Sequence, residues 1–155
     1  MNSSIASFRV QAPATPALAQ TGDWTRYLVP AGRALFALIF LFAGLTHYSA
    51  QAIGYATQAG VPLARLLVPA SGVIALAGAV SVLLGYRTRI GAWLLVLFLV
   101  PVTFTMHKFW GLTDPMMAQM QMAMFMKNVA MLGGALLLAY WGAGPVSLDA
   151  RRQSE

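Results

Sequence analysis

Five side chains able to titrate or to hydrogen-bond strongly stand beside long apolar runs: His47, His107, Lys108, Lys127 and Asn128. Thr103 lies one helical turn before His107 and extends the same polar path inward. Taken singly, such groups are solvated anchors at a membrane boundary. Brought to one depth by several helices, they line a pocket, because polar groups inside a membrane are expensive and tend to be functional. Imidazole, amine and amide donors around a slot between helices suit the carbonyls of a quinone. His47 and His107 are also two imidazoles for a haem iron, but only if they face each other across the macrocycle, and haem ranks below quinone for that reason.

A second chemical signal follows His107. Met116, Met117, Met120, Met122, Met124 and Met126 are six thioethers within eleven residues. Soft sulfur with a neighbouring histidine is the ligand chemistry of Cu(I), with Met116, Met120, Met122, Met124 and His107 as the ligand set. Against that, Met116, Met120 and Met124 recur every four residues, as in an amphipathic interfacial helix that uses Met to fill irregular apolar contacts. Asp114 and Pro115 are suited to start it, as cap and first-turn residue.

The elements that must position these groups are long apolar segments. A helix crossing about 30 Å of hydrocarbon needs about 20 such residues, and four stretches qualify, over about 27–48, 63–84, 90–106 and 125–141. Pro101 is expected to kink the third, and the fourth stops at Gly142, Ala143, Gly144 and Pro145. On the first, Arg33, Ala37, Phe40, Gly44 and His47 share one face, with Arg33 and His47 roughly 21 Å apart along the axis. Ala75, Gly78, Ala79 and Gly85 in the second, and Gly133, Gly134 and Ala135 in the fourth, are expected where backbones approach closely. The fold class is therefore all-α, an integral membrane four-helix bundle. Residues 1–23 read as a mobile tail with no cleavage expected after Ala17-Leu18-Ala19, 24–149 as the membrane domain and 150–155 as a C-terminal tail.

Composition requires a bilayer as solvent: of 155 residues, 59% are hydrophobic and 9% charged, too few polar groups to cover a water-soluble surface. Ten Lys and Arg against four acids give a net charge of +6. The cations lie between apolar runs and form no basic stripe, so nucleic acid is not an expected partner. With both termini and the 84–90 link on one side, that side holds Arg9, Arg26, Arg33, Arg87, Arg89, Arg151 and Arg152, against Arg65, Lys108 and Lys127 opposite. Cations accumulate on the cytoplasmic side, which predicts cytoplasmic termini. Trp110 belongs to the opposite aromatic belt. The absence of cysteine removes thiolate ligands and thiol nucleophiles.

Ala31 to Phe36 leading into Phe42 to Leu45, then Gly60-Val61-Pro62, resembles the opening of the DoxX family. Leu84 to Arg89, His107 to Trp110 with Asp114-Pro115, Phe125 to Asn128, and Gly142 to Gly144 with Ser147-Leu148-Asp149 continue the resemblance in order. It implies a four-helix protein of the bacterial inner membrane, linked in some members to thiosulfate oxidation by quinone and in others to membrane oxidoreductase assemblies or metal handling. Ala75 stands where many of those relatives carry Glu.

Three functional classes follow. The first is a redox-associated subunit binding a quinone-like ring at His47, Thr103, His107, Lys127 and Asn128, beside a membrane or periplasmic redox partner that supplies electrons. In it Arg33 stabilises the inner end by snorkelling or by pairing with Asp149. The others are a Cu(I)-handling protein and a non-catalytic scaffold that binds a second copy or another membrane protein.

Overall fold

The computed structural model describes residues 24–153; the expected N-terminal tail and Arg9 lie outside them. After a short turn over Thr25–Tyr27, six helices follow: α1 (Leu28–Thr46), α2 (Ala50–Gln58), α3 (Ala64–Leu84), α4 (Thr88–Met106), α5 (Pro115–Trp141) and α6 (Leu148–Gln153). Four of these, α1 with its preceding turn, α3, α4 and α5, are long and apolar enough to cross a membrane. The described chain contains no strand.

α1 buries Arg33, Ala37, Phe40 and Gly44, the face that the spacing predicts. It packs on α3, α3 on α4, and α4 on α5. Lipid tails are as apolar as Leu, so these contacts depend on close packing rather than on escape from water. Two glycine pairs set the distance. A Cβ on Gly72 of α3 would lie 3.0 Å from the Gly44 carbonyl of α1 and 2.8 Å from the His47 Cβ. On the other side of α3, a Cβ on Gly78 would lie 2.9 Å from the Gly91 carbonyl of α4. Around these crossings Ala37, Phe40, Ala75, Ala79, Leu95, Leu99 and Ala135 form the core. Phe40 bridges Phe36 (5.1 Å between ring centres) and Phe98 (6.2 Å).

The α3–α4 link is fixed locally. Gly85 adopts φ +66° and closes α3 by a paired cap: its own N–H donates to Val82, and the Tyr86 N–H donates to Ser81. Arg87 follows with φ +47°, a left-handed conformation that costs a non-glycine residue roughly 1–2 kcal/mol. That cost is offset where Asp149 accepts the Arg87 and Thr88 N–H groups, as described below.

Four features differ from the sequence reading. The fourth span and the Met-rich segment are one helix of 27 residues, capped by Asp114, which accepts the N–H groups of Met116 and Met117. At 1.5 Å per residue it is about 40 Å long. The expected break near Phe125 is missing because Met, Ala, Gln and Leu are all good helix formers and nothing between Pro115 and Gly133 interrupts them. A short helix, α2, caps the end opposite the termini, burying Ala56 against Ala64 and Val68; Ser49 caps it by accepting the Ala52 N–H. Gly133 is not a helix contact, since nothing lies within 4 Å of a Cβ built there, whereas Gly134 meets Phe36 and Ala135 is fully buried. Finally, Leu148–Gln153 forms α6, where the sequence suggests a tail.

Candidate functional site

Polar groups gather at each end of the bundle, with Lys127 and Asn128 between them at the middle of α5. At the termini end, Arg33 is 4% exposed and donates from Nη2 to the Val146 carbonyl at 2.7 Å. It neither snorkels outward nor bonds Asp149. Its Nε and Nη1 have no hydrogen-bond partner. Gly85 makes room for it, because a side chain there would run into the guanidinium and the Ser147 Cβ. Asp149 instead faces the start of α4, where its carboxylate accepts the Arg87 N–H at 2.6 Å and the Thr88 N–H at 2.9 Å, and its own N–H donates to the Gly85 carbonyl at 2.8 Å. Burial alone would raise the Asp149 pKa, but those two N–H donors and the nearby Arg152 charge outweigh it and hold the carboxyl below its ordinary range. The segment from Gly142 to Gln153 is thus latched across the α3–α4 link.

At the opposite end the residues expected to share a pocket are divided. The His47 Nδ1 is bonded to the Ala43 carbonyl of its own helix, and the ring stands edge-on to Phe98 at 5.4 Å. His107 donates from Nδ1 to Gln121 Oε1 at 3.0 Å, and Gln121 Nε2 donates to the Tyr55 hydroxyl at 2.9 Å. This relay ties the end of α4, α5 and the capping helix α2 together. Each imidazole is therefore committed to a different neighbour. Thr103 is buried and its hydroxyl donates to the Leu99 carbonyl at 2.6 Å. Trp110 joins Phe109 and Phe125 in an edge-to-face cluster that also includes Phe104.

Lys127 and Asn128 do not open a helix. They sit at the middle of α5, Asn128 thirteen residues, or about 20 Å, from either end. Lys127 is exposed, and its ammonium reaches back to the Met124 sulfur at 3.4 Å. Asn128 is 4% exposed, on the inward stripe that α5 forms with Gln121 and Ala135, and its side-chain amide has no hydrogen-bond partner among the described residues. Of the thioethers, Met116 is 80% exposed, and Met124 is the one against which the Lys127 cation rests, a repulsive neighbour for a second cation.

Gln121 and Tyr55 are the residues that sequence reasoning missed. One of two Gln in a Met-rich run carries no pattern of its own; the seven-residue spacing of Gln121 to Asn128, and from there to Ala135, marks it as inward-facing.

Four apolar spanning helices packed through paired glycine crossings define an integral membrane protein that crosses the bilayer several times. The model of the SURF4 family matches residues 3–154, and the chain belongs to that family. A curated relative, the "Inner membrane protein YphA" of Escherichia coli (strain K12), is 30% identical over 117 residues, 76% of this chain and 82% of that protein. No solved structure matches the chain.

The family assignment corrects the resemblance to DoxX. Six of the residues that carried that resemblance meet in one place: Arg33, Gly85, Arg87, Thr88, Ser147 and Asp149 build the latch at the termini end. They report how a tight antiparallel bundle is closed, not which family closes it. Ala75, the departure from the DoxX pattern, is a fully buried core residue on α3.

Proposed function

We propose that this chain is a binding subunit of the inner membrane that receives a membrane-soluble ligand with a hydrogen-bonding head, of the quinone class, at the Asn128 level of α5. The observation that carries the reading is Asn128 itself, a polar residue 4% exposed on the inward stripe of α5 at mid-helix, whose amide makes no hydrogen bond among the described residues. A polar side chain at that depth is costly in an apolar surrounding, and a ligand carbonyl or hydroxyl that pairs with it offsets that cost. The localisation follows the name of the YphA relative. The termini are cytoplasmic in this reading, because Arg26, Arg33, Arg87, Arg89, Arg151 and Arg152 lie at their end against Arg65 and Lys108 at the other.

The test is to purify the protein in mild detergent, extract its lipids and quantify co-purifying quinone by chromatography. Wild type retains quinone in stoichiometric amounts, and Asn128→Leu, which fills the same space without an amide, loses it. Retention unchanged in that variant, or no quinone in wild type, refutes the reading.

A second reading, a scaffold for another membrane protein or a second copy, is favoured by α5 itself, which buries only Gln121, Asn128 and Ala135 of its 27 residues. Cross-linking in native membranes from a cysteine introduced at Gly133, a bare position, distinguishes it: a discrete cross-linked species supports a scaffold, and none argues against one.

A further inference from the structure

A cavity of about 750 Å³ opens at the termini end, between the start of α4, the exit of α5 and α6. Its walls carry Arg87, Arg89 and Arg152 against a single acid, Asp149. Both carboxylate oxygens of Asp149 already accept backbone N–H groups. Arg87 and Arg89 have no carboxylate within ion-pair distance among the described residues; Arg87 and Arg152 instead lie over the ring of Tyr86, at 5.8 Å and 4.7 Å. Among the described residues, the lining thus concentrates more positive charge than its one carboxylate balances.

Depth specifies the ligand. α3 and α4, of 21 and 19 residues, are about 32 and 29 Å long, close to the thickness of the hydrocarbon core. The start of α4, and the cavity with it, therefore lies at headgroup level. Trp141 on the rim is the type of residue that seats itself at that level, and Ile90 supplies an apolar wall on the hydrocarbon side. A basic pocket between spanning helices at this depth suits an anionic headgroup, with planar guanidinium forks matched to phosphate oxygens.

We propose that this cavity binds a phosphate-bearing anion, supplied by an anionic phospholipid headgroup or by free phosphate, through Arg87, Arg89 and Arg152. The proposal is independent of the Asn128 reading: it concerns the other end of the bundle, and either can fail alone.

The full chain is reconstituted in phosphatidylcholine nanodiscs with and without phosphatidylglycerol, and bound lipid is measured by native mass spectrometry after ejection from the disc. Wild type retains phosphatidylglycerol preferentially. Replacing both Arg87 and Arg89 by Gln weakens that retention by roughly twenty-five-fold, at about fivefold per arginine, while Arg65→Gln, at the opposite end, leaves it unchanged. Inorganic phosphate is titrated separately in phosphatidylcholine discs, following Trp141 fluorescence as the difference between wild type and Trp141→Phe. Phosphate binding that disappears in the Arg87/Arg89 variant supports the site with free phosphate as the source; lipid retention without phosphate binding supports it with a lipid source. Equal phosphatidylglycerol retention in the double variant, or equal loss in Arg65→Gln, overturns the proposal. Should the double variant not fold, a phosphatidylglycerol titration that leaves the Trp141 signal of wild type unmoved overturns it equally.

Discussion

Gly78→Ala is the sharpest test of how the bundle is held together. The added methyl would lie 2.9 Å from the Gly91 carbonyl and 2.8 Å from the Leu95 Cδ2, where carbon contacts ordinarily begin near 3.4 Å. Leu95 can rotate, but it is fully buried, and the carbonyl belongs to the α4 backbone. The helices must separate by roughly half an ångström along this crossing, forfeiting dispersion contacts on both sides. Overpacking of this kind costs about 1–3 kcal/mol, against a gain of roughly 1 kcal/mol from replacing glycine inside a helix. A net loss of about 0–2 kcal/mol is expected, and a deficit of about 1–3 kcal/mol relative to a glycine replaced without overpacking. Gly133→Ala has the same propensity gain and no steric charge, since nothing lies within 4 Å of its Cβ, and should be neutral or slightly stabilising. Equilibrium unfolding in mixed micelles, followed by tryptophan fluorescence, compares the two. If Gly78→Ala is as stable as Gly133→Ala, the close glycine crossing does not hold α3 to α4.

Two further outcomes follow. Asp149→Asn removes the charge from the two bonds to the Arg87 and Thr88 N–H groups, so those amides should exchange faster with deuterium and the Gly142–Gly144 segment should be cut sooner by protease. The same loosening is expected in wild type at acid pH. The folded-state pKa of Asp149 is depressed, so its contribution is complete above the ordinary carboxylate range and fades as pH falls through the lower, folded value. Gln121→Leu severs both links of the relay between His107 and Tyr55; α2 amides should lose protection from exchange, with the α3–α4 core unaffected.

The parts of the fold legible in the sequence are those written as runs. Four apolar segments of the right length identified four spans, and the 4-3-4 spacing of Arg33, Ala37, Phe40 and Gly44 identified the buried face of α1. Helix boundaries near polar residues were harder to read. Lys127 and Asn128 look like the start of a span because both are expensive in lipid, yet α5 carries them at its midpoint, one reaching back toward Met124 and the other turned inward. α2 lacks a strong hydrophobic run and was invisible for that reason; it is held by Ser49 and by Ala56 against α3. Of the expected polar cluster, His47 and His107 lie near the end opposite the termini without meeting, while Lys127 and Asn128 sit at mid-helix. Shared depth does not imply contact: His47 and His107 found separate partners, one of them a glutamine whose inward orientation depends on helix phase alone.

The length of α5 bears on the membrane as well as on the protein. At about 40 Å it is taller than a typical hydrocarbon slab by roughly 10 Å. α3 and α4 match the slab in length, and α5 packs along α4, so α5 cannot lean independently of the shorter helices to hide the excess. The bilayer beside Met116 and Met120 must then thicken, or the tip of the helix must stand in the interface with its thioethers among glycerol and water. Either way the mismatch falls on one flank only, and that asymmetry gives the protein a preferred surrounding thickness and a preferred side for neighbours of similar height.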